Sequence, residues 1–272
     1  MTATRTSVRS VLTDAAARAP SAPGVYVFLG SQTELLYIGK ARDLRRRLRD
    51  HARNGTRARV RDVRWIECND EAEALCLEAD LVVALAPPFN ATMAGESYEF
   101  LSVRYGKGIA TFRLTRERPT GRHAYGGFAQ LGKGKVSWAA VRCKAGYSGL
   151  LRLVWNAYDG SPFPSRLHGD SPPVEHETPI DEGGLRLLHT FLSGRSSRLL
   201  PALQASVDSS PPFMQLGLRR DVEGAEQFYW LGPCRVRRLR LRHGLRSPVG
   251  EEDFRRALIA DLRDAIGDFV LG

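Results

Sequence analysis

Two tyrosines stand beside glycines on either side of a polar turn, in Gly24-Val25-Tyr26 and Tyr37-Ile38-Gly39, with Lys40 directly after. Downstream come a run of cations, Arg42, Arg45, Arg46, Arg47 and Arg49, then Glu78, and finally Asn90 behind Pro87-Pro88-Phe89. Phenols, guanidiniums and a carboxylate are side chains that grip a phosphorylated ligand and exchange protons beside it. The net charge of +10 and the pI of about 9.8 favour a polyanionic partner such as nucleic acid over an acidic small molecule. Almost all of that charge is arginine, a bias that base composition also produces.

The elements that must position these groups follow from local pattern. Apolar residues flank Ser31-Gln32-Thr33, which predicts two antiparallel strands carrying one tyrosine each. Val8, Val11, Leu12 and Ala15 form a one-sided stripe over residues 7–18, a first helix stopped by Pro20 and Pro23. Residues 41–52 read as a second helix, with Leu44 and Leu48 one turn apart and arginines over most of the remaining surface. A third strand fits residues 63–68. Asn69 and Asp70 are good caps for a helix over residues 71–85, on which Glu78 lies near the edge of the apolar stripe.

The chain of 272 residues, 43% apolar, is long enough for two modest domains. Cys68, Cys76, Cys143 and Cys234 are scattered and form no C-x-x-C pair, which predicts neither a zinc knuckle nor a disulfide framework and suits a reducing, cytoplasmic compartment. No apolar run approaches the roughly 20 residues that cross a bilayer.

The ordered set Pro23-Gly24-Val25-Tyr26, Leu36-Tyr37-Ile38-Gly39-Lys40-Ala41, Arg47-Leu48, Glu73-Ala74, Leu77-Glu78-Ala79 and Pro88-Phe89-Asn90 closely resembles the GIY-YIG nuclease family, in its UvrC amino-terminal and Cho-like branch. The likeness runs from about residue 19 to residue 100. Val25 departs from the usual isoleucine by exchanging one β-branched residue for another. The resemblance implies an α+β fold, a small antiparallel sheet flanked by helices, that cuts phosphodiesters with a single divalent metal, Mg²⁺ or Mn²⁺. It assigns Glu78 to the metal, Arg47 to the phosphate and Tyr37 to the attacking water, with Tyr26, Lys40 and Asn90 completing the site. Arg42, Arg45, Arg46 and Arg49 would then follow the DNA backbone.

The chemistry accounts for these residue types. Phosphodiester hydrolysis builds negative charge on the phosphoryl oxygens, so it needs a cation aimed at them and a nucleophilic water. One carboxylate suffices for Mg²⁺, which keeps several of its own waters. A phenol has a pKa of ~10, so deprotonating one at pH 7 costs about 4 kcal/mol, and a nearby fixed positive charge such as Lys40 offsets part of it. Each residue also has a plain structural use: tyrosines pack hairpins, helical arginines are solvated, a glutamate pairs with a neighbouring arginine, and Asn90 forms a turn. The joint occurrence in order is what favours the site.

Residues 101–272 are expected to form a second, mixed and mostly helical domain that binds DNA or a partner. Residues 138–158 mix apolar and basic positions, giving one or two helices, and 161–181 read as a long surface loop. His168, Asp170, Glu175, His176 and Glu177 in that loop lack any metal-ligand spacing. Residues 185–203 are helical on both sides of Ser193-Gly194, 217–229 form another helix, and 251–270 a last one. Phe191-Leu192-Ser193-Gly194 is a phrase also found in UvrC-like chains. The basic run Cys234 to His243 suits a backbone-following element or a solvated face. The UvrC pattern would add a cysteine cluster, a partner-docking helical hairpin and a second nuclease domain, none of which is evident, so nucleotide excision repair and a protein partner are implied by one domain. A noncatalytic nucleic-acid-binding module and a restriction or defence nuclease are the alternatives, and a monomer is favoured.

Overall fold

A computed structural model of the protein describes residues 7–56, 59–90, 98–120, 123–129 and 138–271. Cα packing divides the chain into two units, Met1–Gly95 with Arg255–Gly272, and Glu96–Phe254.

The first unit is built on three antiparallel strands, β1 (Gly24–Leu29), β2 (Leu35–Ala41) and β3 (Asp62–Glu67), in the order β2-β1-β3. β1 is central and buried along its whole length, which explains its unbroken apolar sequence. Its pairing with β2 sets Tyr26 opposite Gly39, Val27 opposite Ile38 and Phe28 opposite Tyr37. Tyr26 and Phe28 point to one face and pack with Leu12 and Ala15 of helix α1 (Val8–Arg18) and Leu44 and Leu48 of α2 (Leu44–Asn54). Helix α3 (Glu71–Leu85) packs against β1 and β2.

The helix starts follow the cap residues. The Ser7, Asp43 and Asp70 side chains accept the N–H groups of Ser10, Arg46 and Glu73, which satisfies one orphan donor at each start. The Glu73 carboxylate reaches back to the Asn69 N–H at 2.8 Å, so α3 begins with a reciprocal cap.

The carboxy-terminal residues belong with this first unit, a difference from the expected boundary at residue 100. Leu35 N–H donates to the Val270 carbonyl at 2.8 Å, Val270 N–H to that of Thr33 at 3.0 Å, and the Arg64 guanidinium to Ile266 and Asp268 carbonyls at 2.7 and 3.1 Å. Arg255 on helix α9 (Glu251–Ile266) donates to the Ala84 carbonyl at 2.8 Å. These bonds span some two hundred residues of sequence, so no local pattern announces them. Gly267, with φ of +78°, ends α9 before Phe269, earlier than the expected residue 270. Residues 91–97, where the first domain was expected to close, lie outside the described residues.

The second unit holds a four-stranded antiparallel sheet, order β6-β4-β5-β7, from β4 (Tyr98–Gly106), β5 (Ile109–Thr115), β6 (Ala124–Ala129) and β7 (Glu175–Pro179). Its helices are α4 (Trp138–Tyr158), α5 (Glu182–Leu192), α6 (Leu199–Asp208), α7 (Pro212–Tyr229) and α8 (Arg235–Arg242), with α4 packed along α7. Residues 161–181, expected to form one long surface loop, are partly regular instead. They contain a 3-10 turn at Ser165–Leu167 and β7, whose alternating burial places His176 and Thr178 inside. Polar residue types hid that alternation. Among the described residues, no cluster of three metal-ligating side chains occurs, and no helix is long and apolar enough to cross a membrane. None of Cys68, Cys76, Cys143 and Cys234 is in a disulfide.

Candidate active site

The site forms where β2, the start of α2 and the middle of α3 converge. A cleft of about 480 Å³ is lined by Tyr26, Tyr37, Lys40, Arg42, Arg47 and Glu78, with Asp43, Arg46, Asp50 and Glu71 around them. Seven of the predicted residues, Arg46 among them, therefore share one cavity.

Gly39 makes the tyrosine pair possible. A Cβ there would stand 2.4 Å from the Tyr26 hydroxyl oxygen and 2.8 Å from Cε1 of Tyr37, so only glycine lets both rings close over β2. The ring centroids of Tyr26 and Tyr37 are 6.1 Å apart. Tyr26 is fully buried and its hydroxyl is hydrogen-bonded to Nε2 of His51 at 2.7 Å. Burial pushes the Tyr26 phenol far up, and Tyr37 adds to this while the Arg47 charge opposes it, so Tyr26 stays neutral near neutral pH. Tyr37 is half-buried.

β2 is an edge strand, and the site residues occupy its open side. Phe89 N–H donates to the Leu36 carbonyl at 3.1 Å. The Asn90 amide takes both polar groups of Ile38, accepting from its N–H at 2.9 Å and donating to its carbonyl at 2.7 Å. Lys40 N–H donates to Glu78 Oε1 at 3.1 Å. Residues 36, 38 and 40 alternate outward, as a strand requires, and each meets one partner from α3 or the turn after it. Asn90 thus stands behind the strand, where it holds Ile38 between the two site residues Tyr37 and Lys40.

Glu78 is half-buried, and burial raises its carboxyl above the ordinary glutamate value, opposed by the Lys40 N–H and by the charges of Lys40 and Arg47. A desolvated carboxylate with one oxygen engaged by a backbone N–H retains lone pairs for a hard cation. It fits a single divalent ion that keeps most of its ligands as water. Arg47 carries its charge securely, its guanidinium stabilised chiefly by Tyr26. Lys40 Nζ lies 3.6 Å from Glu71, which also binds Arg42.

The other arginines divide. Arg42 and Arg46 line the cleft, Arg45 is turned to the Ala19 carbonyl at 2.8 Å, and Arg49 is exposed on α2 outside the lining. His51 was not anticipated from the sequence. It follows Arg47 by one helical turn, a spacing that would have placed it on the same face. Burial first and the Arg47 charge second hold His51 below the ordinary imidazole value, with Asp50 opposing, so it is neutral at neutral pH.

The first unit is thus of the α+β class, a three-stranded antiparallel sheet flanked by helices, with two tyrosines, an arginine and the half-buried Glu78 around one cleft. Residues 22–91 match the family model of the UvrC-like GIY-YIG domain, and this segment is such a domain. The UvrABC system protein C of Hahella chejuensis is 36% identical over 116 residues, 39% of this chain and 19% of that protein. That of Bradyrhizobium diazoefficiens is 34% identical over 127 residues, 42% of this chain and 18% of the relative. The chain thus spans about a fifth of the length of these curated relatives. The magnesium-bound GIY-YIG N-terminal endonuclease domain of UvrC from Thermotoga maritima is 32% identical, over 29% of this chain and 94% of that one, with a TM-score of 0.27.

Proposed function

We propose that this cleft hydrolyses a phosphodiester bond of DNA, as a UvrC-like, metal-dependent endonuclease of the nucleotide excision repair type. The observation that carries the reading is the convergence of Tyr37, Lys40, Arg47 and Glu78 on one cavity.

Arg47 holds a phosphoryl oxygen of the scissile group and stabilises the charge that grows there. Glu78 would hold Mg²⁺ or Mn²⁺, which would supply Lewis-acid polarisation at the phosphate. Tyr37, the more accessible phenol, accepts a hydrogen bond from the attacking water and orients it, with the Lys40 charge nearby. Tyr26, neutral and bonded to His51, positions rather than titrates. Arg42 and Arg46 extend the cationic wall for the flanking backbone, where salt weakens their grip. DNA is the substrate, and a protein partner that recruits the chain to damage fits the UvrABC naming of its relatives. Four cysteines with no disulfide between them suit a reducing cytoplasm.

Incubation of supercoiled plasmid and short damaged, undamaged and branched duplexes with Mg²⁺ or Mn²⁺ tests this. Nicking by the wild type should fall by at least about a hundredfold in Glu78→Ala and Arg47→Ala. Nicking unchanged in both variants sinks the assignment, and tight, salt-sensitive binding without cleavage under any metal identifies a noncatalytic DNA-binding module.

A further inference from the structure

A second cationic cavity lies wholly within the second unit, and nothing in the reading of the tyrosine cleft uses it. Its volume is about 450 Å³, and its lining includes His123, Tyr125, His189, Arg195, Arg237 and Arg240, with no carboxylate among the described residues. Three guanidiniums facing one cavity without a counter-charge in its walls repel each other unless an anion joins them.

The local structure explains how they come together. The segment Phe191-Leu192-Ser193-Gly194 closes α5, and Gly194 adopts φ of +68°. A Cβ at Gly194 would lie 2.3 Å from the Pro233 carbonyl oxygen, so the turn presses directly onto the joint between α7 and α8. That joint is a π-helical turn, Trp230–Cys234, with Pro233 inside it, where the missing N–H interrupts the regular ladder. Arg195 leaves the glycine turn with its Nε bonded to Ser193 Oγ at 2.8 Å, and Arg237 and Arg240 arrive one turn apart on α8. The phrase FLSG and the basic run, separate in sequence, are thus two walls of one cavity.

The third wall is aromatic. His123 and His189 stack with ring centroids 3.9 Å apart and planes within 14°. Tyr125 Oη is bonded to His189 Nδ1 at 2.5 Å, which leaves Nε2 as the nitrogen free of that bond. Burial, His123 and Arg195 hold His189 down at about 4, so at neutral pH it is a neutral ring that can donate through one nitrogen. Arg237 points the same way, since its Nε is buried and has no hydrogen-bond partner among the described residues. A buried guanidinium N–H without an acceptor is a costly group in a folded protein, and an oxygen of a bound anion would satisfy it.

We propose that this cavity is a phosphate-binding site, in which Arg195, Arg237 and Arg240 hold the phosphate oxygens and the His123–His189 pair flanks the group it carries. Guanidinium forks match the tetrahedral oxyanion in pairs, and a volume of this order accommodates a nucleotide-sized ligand. The phosphate comes either from a free nucleotide or from the end of a DNA strand. The site stands apart from the nuclease reading and survives its failure.

The full chain, kept in EDTA so that no strand is cut, is titrated by calorimetry with inorganic phosphate, deoxyadenosine monophosphate, and a single-stranded oligonucleotide with and without its terminal phosphate. The imidazole NMR signals of His123 and His189 are followed in parallel. Saturable binding is expected, with both signals moving together, and Arg237→Gln and Arg240→Gln each weaken it roughly ten- to a hundredfold. Arg195→Gln, at an exposed position that leaves the core untouched, should weaken it in the same direction, while Arg104→Gln, at an exposed position on β4, leaves it unchanged. Equal affinity for the nucleotide and the phosphorylated oligonucleotide identifies a free nucleotide as the source, and a preference for the phosphorylated strand identifies a DNA end. Absence of saturable phosphate binding, or equal weakening by Arg104→Gln and Arg195→Gln, overturns the proposal.

Discussion

Replacing Asn90 by alanine removes the two bonds that tie Ile38 to the turn after α3, at 2.9 and 2.7 Å. Each contributes about 1 kcal/mol net, and leaving the buried Ile38 groups poorly solvated adds to the loss, so the local cost is about 2 to 3 kcal/mol. At about 1.4 kcal/mol per tenfold, opening of β2 should become roughly 30- to 150-fold more frequent. Hydrogen exchange reads this directly, because the Ile38 amide itself is the donor. Its protection should fall by that factor in Asn90→Ala, while amides in the middle of α3 keep theirs. Nicking should fall with it, since Tyr37 and Lys40 flank the loosened residue. Asn90→Asp separates this account from a turn-forming role. Aspartate forms turns as well as asparagine does, but it offers no donor to the Ile38 carbonyl and sets a carboxylate against it. Full protection in Asn90→Asp, or unchanged exchange in Asn90→Ala, would refute the reasoning.

Gly39→Ala should cost about 1 to 3 kcal/mol, measured by denaturant unfolding, because the new methyl collides with both tyrosine rings. Glu78→Gln should abolish nicking and yet raise the stability of the metal-free chain at neutral pH. The folded carboxyl titrates above its unfolded value, so its ionised form is disfavoured in the fold, and the gain disappears as pH falls below the unfolded value of about 4.5. In the wild type, nicking should fail in acid with a midpoint above that ordinary value. His51→Phe should lower nicking by reorienting Tyr26. It should also remove an acid sensitivity, since the depressed His51 contributes stability that is present above about 6.5 and lost as pH falls through its folded value.

The tyrosine hairpin, α2 and α3 were legible because apolar period, caps and turn residues agree there, and Glu71–Leu85 emerges with the expected bounds. The expected site residues Tyr37, Lys40, Arg47 and Glu78 share a cleft for the same reason: three well-signalled elements leave few ways to arrange them. His51 went unread because it sits in an arginine-rich helix where every polar residue looks solvated. β7 went unread because its buried positions are His176 and Thr178, residue types that mark loops more often than cores. The attachment of residues 255–272 to the first unit depends on backbone bonds to Thr33 and Leu35, which carry no side-chain signature. The cavity between FLSG and the basic run needed tertiary structure to bring its walls together.

The open side of β2 has a consequence for the behaviour of the chain in concentrated solution. Leu36, Ile38 and Lys40 present backbone groups that would otherwise template a strand from another molecule, and Phe89, Asn90 and Glu78 cover them. The residues that shape the reaction centre are therefore also guards against intermolecular β-pairing. Substitutions made to silence cleavage at Glu78 or Asn90 strip part of that guard, and self-association of such variants on storage is an outcome of the same geometry.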